Sequence, residues 1–129
     1  MIVGIGCDLV QIPRIKRIHD LFGDKFLHRI FSQEELLIMP KIQKIENYIA
    51  KRFAAKEAFS KAIGQGIGKK FKFKDIEIFK DSVTGRPFFS EKTLDVVGKN
   101  IIAHLSMSDD DPIAIAYVVL SASNHALDL

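Results

Sequence analysis

From Ile2 to Val10 the chain alternates at the period of a strand. Val3, Ile5, Cys7 and Leu9 fall on one side, and Gly4, Gly6 and Asp8 on the other. Two glycines on one strand face predict close approach by another backbone, with Asp8 at the rim of that contact. The period then changes. Ile12, Ile15 and Ile18 recur every three residues behind Pro13, which suits the first turn of a helix, and Gly23 closes it. Arg14, Lys16 and Arg17 are left largely toward solvent. Ser32 and Glu35 have capping-box spacing before the run LLIM. Pro40 breaks the chain and starts a long helix that runs to about Ile63.

In that helix Ala54, Ala55, Ala58, Phe59, Ala62 and Ile63 cover one broad side, and the small alanines admit a closely packed neighbour. Lys56, Glu57, Ser60 and Lys61 lie opposite, with Phe53 among them. Arg52 borders the apolar side and would need an anionic partner if buried. Gly64 ends the helix, since it tolerates the left-handed conformation there.

The second half is β-rich. KKFKFKDIEIF alternates with Phe71 and Phe73 on odd positions and Ile76 and Ile78 on even ones, so a bulge or bend is expected near Asp75. SVTGRP turns at Gly85, Phe88 and Phe89 resume a short strand, and SEKTLDVVGKN is a short helix closed by Gly98. IIAHLSMS sets Ile101, Ala103, Leu105 and Met107 against His104, Ser106 and Ser108. DDDP is a turn, and the wholly apolar IAIAYVVL is a central strand. The expected fold class is α+β, a small sheet packed against helices, one of them long.

Composition adds few constraints. At 129 residues one domain, 1–129, is expected, with 47% hydrophobic and 27% charged residues as in ordinary globular chains. A net charge of +3 suits an anionic partner without choosing among nucleic acid, phosphorylated metabolite and acidic protein. The single Cys7 excludes an internal disulfide and fits a reducing cytoplasm. MIVGIGCDLV lacks a basic n-region and carries Asp8, so it does not read as a signal peptide. No apolar run approaches the ~20 residues of a membrane span.

Asp8 and Glu57 are the carboxylates in the most constrained positions. Two carboxylates from separate elements, with phosphates and waters completing the shell, are how Mg²⁺ is commonly held. The plain alternative is that Asp8 caps a turn and Glu57 pairs with Lys61 at i,i+4. Lys56, Lys61, Arg52 and the segment GQGIG have the chemistry to cradle a pyrophosphate. This is not a phosphate loop opening a helix, because its glycines follow the helix, and a simple helix stop explains them equally well. His104, Ser106 and Ser108 form either a polar wall for a ligand or a solvated sheet face. Cys7 belongs with the core. Asp109, Asp110 and Asp111 are turn residues before Pro112.

The segments GIGCDLVQIPRI, RFAAKEAFSKAIGQGIG, DIEIFKDSVTGRPFF and HLSMS, in that order, resemble the bacterial holo-[acyl-carrier-protein] synthases of the 4′-phosphopantetheinyl transferase superfamily. The resemblance covers nearly the whole chain. It implies the fold of that superfamily, with a small antiparallel-rich sheet. It also implies transfer of the 4′-phosphopantetheine arm of coenzyme A to a serine of apo acyl carrier protein. Adenosine 3′,5′-bisphosphate would leave, in support of fatty acid biosynthesis. By motif position Asp8 and Glu57 would bind Mg²⁺, and these two with Lys61 would be the catalytic residues. Lys61, Arg52 and the loop from Gly64 through Gly66 to Gly68 would contact the coenzyme A phosphates. Arg86, Pro87, His104 and Ser106 would line the rest of the nucleotide pocket. Arg14 and Arg17 would meet the acidic carrier protein. A homotrimer with sites between subunits is implied, with neither nucleic acid nor membrane as partner. One departure is visible: Asp109 stands where family members often carry a second histidine, and an acid there opposes a nearby phosphate.

Two other functions fit parts of the sequence. A binding module for nucleotides or single-stranded nucleic acid would use the alternating Phe and Lys of KKFKFK as a stacking surface. A metal-dependent phosphohydrolase would use the same two carboxylates.

Overall fold

The computed structural model describes residues 1–64 and 71–123. Gly66 and Gly68 therefore lie outside the described residues. Strand β1 (Ile2–Gln11) runs directly into α1 (Ile12–Phe22), and α2 (Asp24–Ile30), α3 (Gln33–Leu37) and the 18-residue α4 (Ile45–Ala62) follow. A 3₁₀ turn (Phe73–Asp75) precedes the hairpin of β2 (Ile78–Lys80) and β3 (Pro87–Phe89). Then come α5 (Glu91–Val97), β4 (Ile101–Asp110) and β5 (Ile113–Ala122).

β1, β5 and β4 form an antiparallel sheet in that order, so the wholly apolar strand is central, as its composition requires. The inner face presents Ala114, Ala116, Val118 and Leu120, all buried, to α4. Helix and sheet meet very closely. A Cβ on Gly6 would overlap the Ala58 carbonyl oxygen, and one on Gly4 the Ala62 carbonyl oxygen. The two glycines thus mark the backbone contact that their spacing predicts.

The helix boundaries follow local chemistry. Pro13 sits in the first turn of α1, and Gly23 closes it at φ 54°. At α3 the capping box forms, with the Ser32 N–H donating to Glu35 Oε1 at 2.9 Å and the Glu35 N–H to Ser32 Oγ at 3.2 Å. Gly64 follows α4 at φ 76°, the left-handed stop its position predicts.

Asp109 and Asp110 belong to β4 and pair with β5, so of the run DDDP only Asp111 and Pro112 form the turn. Other expectations also need correction. The long helix starts at Ile45, not at Pro40. Among the described residues, the KKFKFKDIEIF segment enters a strand only at Ile78. Its parity switch is the bend expected near Asp75, made as a 3₁₀ turn in which Asp75 folds back to accept from the Lys72 N–H at 2.9 Å. The polar side of α4 divides, with Lys61 exposed and Glu57 half-buried. Lys56 is fully buried, and Ser60 nearly so.

Lys56 is accommodated because its ammonium finds three acceptors: the Ile30 carbonyl at 2.7 Å, Glu35 Oε1 at 2.7 Å and the Phe73 carbonyl at 3.1 Å. Glu35 Oε2 in turn accepts from the Ile78 N–H at 3.1 Å. One buried ion pair therefore joins α2, α3, α4, the 3₁₀ turn and β2, and burial pushes the Lys56 amine down to about 8. Phe59, also fully buried, packs against Phe89 on the hairpin at 4.7 Å between ring centroids.

The outer face of the sheet is different. Its rows run Leu9–Ile115–Ser108, Cys7–Tyr117–Ser106 and Ile5–Val119–His104 across the three strands. No element described here covers it, and Ile5 and Leu9 are 54% and 58% exposed. Cys7 shares this face and is half-buried rather than part of the core, because the glycine side of β1 is the one that packs on α4.

Candidate active site

β1 and α4 bring Asp8, Glu57 and Lys61 together. All three line one cleft of about 640 Å³, with Arg14 of α1 at its edge and Phe53 as an apolar wall. The close packing at Gly6 produces this arrangement. Asp8 follows on the same strand face, and Glu57 and Lys61 flank the Ala58 turn against which Gly6 rests. Phe53 is held from behind by Phe73, stacked at 4.9 Å between centroids.

Lys61 does not pair with Glu57 along the helix. Its ammonium reaches across to β1 and donates to Asp8 Oδ1 at 2.9 Å and to the Cys7 carbonyl at 3.1 Å. The hydrogen bond to Asp8 raises the Lys61 pKa and keeps the amine a cation. Glu57 is half-buried, and its carboxyl is raised above the ordinary range by burial first and by the Asp8 charge second, with Lys61 acting against both. A carboxyl whose charging is opposed by a second carboxylate in the same cleft is what a divalent cation relieves, and the donor set is all oxygen, as Mg²⁺ prefers. Among the described residues no three His, Cys, Asp or Glu side chains gather as a metal cage. A cation here would take two protein carboxylates and fill its other positions from a ligand and water.

A second cleft, about 770 Å³, lies between the start of α4 and the β2–β3 hairpin. Tyr48, Lys51, Arg52, Lys80, Pro87 and Met107 are among its lining residues. Arg52 is only 6% exposed, its guanidinium lies 3.7 Å over the Tyr48 ring, and its Nε has no hydrogen-bond partner. Burial lowers its pKa, yet a guanidinium stays charged. The anionic partner that its position calls for is not a side chain of the described residues, so Arg52 offers a desolvated cation to an anion in the cleft.

The sequence-predicted residues therefore fall into three places. Asp8, Glu57, Lys61 and Arg14 share the first cleft. Arg52 and Pro87 share the second, while Arg86 is exposed on the adjoining turn and Gly64 caps α4. His104 and Ser106 lie on the outer sheet face, where His104 Nε2 is 3.1 Å from Ser121 Oγ. Arg17 is exposed on α1. At about 100° per residue, Tyr48 and Glu57 stand about 180° apart around α4, and Arg52 and Glu57 about 140°. One chain does not merge the two clefts. Lys56, expected to face a phosphate, is instead consumed by the buried pair with Glu35.

Sequence reasoning missed Tyr48, Lys51, Lys80 and Phe53 as cleft residues. Tyr48 could have been found from its i,i+4 spacing to Arg52. Lys80 could not, because only the hairpin register sets it opposite Pro87.

The model of the 4′-phosphopantetheinyl transferase superfamily matches residues 4–118 of the chain. The chain belongs to that superfamily. Within it the chain groups with the holo-[acyl-carrier-protein] synthases and is an enzyme of that kind. The synthase of Wolbachia pipientis subsp. Culex pipiens (strain wPip) is 46% identical over 123 residues, 93% of this chain and 98% of its own. A synthase from Neisseria meningitidis superposes with a TM-score of 0.82 at 43% identity, covering 94% of this chain and 99% of that one. The synthase from Bacillus anthracis str. Ames, solved with CoA (3′,5′-ADP), gives a TM-score of 0.80 at 40% identity, covering 95% and 99%. The Helicobacter pylori synthase, solved with coenzyme A, gives 0.77 at 38%, covering 91% and 99%. These synthases thus share with this chain both the fold and most of its length.

Proposed function

We propose that this enzyme transfers the 4′-phosphopantetheine arm of coenzyme A to a serine of apo acyl carrier protein in the cytoplasm and releases adenosine 3′,5′-bisphosphate. The supply of holo carrier protein to fatty acid biosynthesis follows from that activity. The observation that carries the reading is the convergence of Asp8, Glu57 and Lys61 in one cleft, beside a basic helix and opposite a cation-lined second cleft.

In the reaction the serine oxygen attacks the phosphorus that bears the pantetheine arm. The phosphoanhydride bond to the nucleotide breaks, the serine proton passes to water or to the Glu57 carboxylate, and charge builds on the departing phosphate. Asp8 and Glu57 would hold Mg²⁺, which when bound neutralises pyrophosphate charge and polarises the phosphorus–oxygen bonds. Lys61, kept cationic by Asp8, has a third N–H left to donate to the departing phosphate. Phe53 gives the cleft a dry wall. Arg14, on the exposed side of α1 and at the cleft edge, meets the acidic carrier protein together with Arg17, so the docking helix borders the cleft in which the chemistry occurs.

Arg52 and Pro87 serve the nucleotide end from the second cleft, with Arg86 and Gly64 at their positions by motif. The two clefts face opposite sides of α4, so one coenzyme A reaches both only when the second belongs to a neighbouring copy. The exposed Ile5, Leu9, Ile115 and Tyr117 supply the apolar surface for that neighbour, and His104 and Ser106 lie on the same face, where they line the pocket across the contact. A contact that sets unlike surfaces together gives a ring when its rotation closes, and three copies is the number the family resemblance supplies.

A stacking module for nucleic acid has little to stand on. Phe71 is buried, and Phe73 is packed on Phe53.

The test is incubation with coenzyme A, MgCl₂ and apo carrier protein, followed by mass spectrometry of the carrier. A gain of one phosphopantetheine, abolished by EDTA, is expected. Unmodified carrier with free phosphate released would replace the transferase with a hydrolase.

A further inference from the structure

The start of α4 is tied to the β4–β5 turn by a polar cluster that the reaction does not use. The Lys51 ammonium is 3.0 Å from Asp109 Oδ1, and Asn47 Nδ2 donates to Asp109 Oδ2 at 3.0 Å and to Asp111 Oδ1 at 3.1 Å. Lys44 stands 3.6 Å from Asp111 Oδ2. The hydrogen bonds from Asn47 and Lys51 hold the Asp109 carboxyl below its ordinary range, so it is an anion at neutral pH.

Lys51 is one of three cations lining the second cleft, with Arg52 and Lys80. Met107, another lining residue, precedes Asp109 by two on β4 and shares its strand face, so the carboxylate stands about 7 Å along the strand from the cleft wall. Asp109 therefore neutralises one of the three cations and adds a repulsive charge to any anion that enters. The position is a carboxylate held ready by two partners, not a loose surface acid.

We propose that Asp109 is a specificity-determining residue of the second cleft. It restrains Lys51 and thereby limits how strongly the cleft favours a nucleotide with an additional phosphate monoester over the same nucleotide without it. This rests on the nucleotide reading of that cleft and adds to it a charge setting carried by Asp109 and Lys51. Asn at this position keeps an oxygen for Lys51 or Asn47 but removes the charge. The gain for one extra phosphate, at a separation of about 7 Å with largely solvated charges, is on the order of threefold to tenfold.

The experiment is calorimetric titration of adenosine 3′,5′-bisphosphate and of adenosine 5′-monophosphate into the wild type, D109N, K51M and the D109N/K51M pair, each with its melting temperature. D109N is expected to tighten the bisphosphate about threefold to tenfold and leave the monophosphate within about twofold. K51M should cost under about twofold in the wild type, where Lys51 is already neutralised, and several-fold in the D109N background. The KM ratio of 3′-dephospho-coenzyme A to coenzyme A should rise in parallel. Equal shifts for both nucleotides, no shift, weaker bisphosphate binding, or identical K51M effects in both backgrounds would overturn the proposal. Nucleotide binding needs no carrier protein. Lack of transfer with the expected binding pattern would therefore refute the transferase alone, and normal transfer without that pattern would refute the role of Asp109 alone.

Discussion

Replacing Gly6 with Ala tests whether the active cleft is built by backbone contact. A Cβ at this position would overlap the Ala58 carbonyl oxygen and stand 2.8 Å from both the Ala58 carbonyl carbon and the Ala62 nitrogen. These neighbours are backbone, so no side chain can rotate away. Ordinary carbon contacts lie at about 3.5–4.0 Å, so β1 and α4 must separate by about 1 Å. Asp8 is two residues from Gly6 on the same strand face, and Glu57 and Lys61 flank Ala58, so the displacement falls on the three site residues. The 2.9 Å bond from Lys61 to Asp8 would stretch beyond hydrogen-bonding distance. Overpacking of this kind costs about 1–3 kcal/mol. For a chain of this size that is a melting-temperature fall on the order of 5–15 °C. A misplacement of about 1 Å at reacting groups costs about 100-fold in rate. In a strand with room, Gly→Ala would instead gain about 0.5–1 kcal/mol, so the sign alone is diagnostic. Scanning calorimetry and steady-state phosphopantetheine transfer on the same preparation read both effects. A G6A enzyme with wild-type kcat and an unchanged or higher Tm would refute the reasoning.

Lys56→Met strands the Glu35 carboxylate in the core, and loss of one partner of a buried pair costs about 3–5 kcal/mol. A large fall in the urea midpoint is expected, and an unchanged midpoint would show that the pair is energetically idle. Glu57 holds a proton more readily in the fold than in the unfolded chain, so its contribution to stability falls as pH rises through the window above the ordinary glutamate pKa. Glu57→Gln in EDTA at pH 7 should therefore melt at or above the wild-type temperature while losing about 100-fold or more in turnover; clear destabilisation would contradict the electrostatic picture. Arg14→Glu should raise KM for carrier protein more than KM for coenzyme A, and equal effects would remove α1 as the docking helix. If each site draws on two copies, inactive Glu57→Gln and Arg52→Ala chains refolded together should recover part of the wild-type rate. Recovery absent from mixed oligomers, confirmed by mass spectrometry, would place both clefts' functions within one chain.

Much of this molecule follows from short-range chemistry that the sequence states outright. Pro13 and Gly23 bound α1, Ser32 and Glu35 cap α3, Gly64 stops α4, and the uninterrupted apolar run of β5 requires a central strand. The Gly4 and Gly6 pair already implies a backbone neighbour, because nothing else makes two bare positions on one strand face useful. From Asp8 and Glu57 the sequence supplies the carboxylates, and from the ordered segments around them the family. Tertiary structure alone decided which charges are available. Lys56 and Lys61 both sit on the polar side of α4, yet one is locked to Glu35 in the core and the other reaches Asp8 across the cleft. A helical period cannot separate them, since the difference lies in what packs on each from 17 or more residues away. The same limit hid the division of the site. Residues adjacent in a motif can point to opposite sides of a helix, and whether they serve one ligand depends on surfaces that pair only after folding.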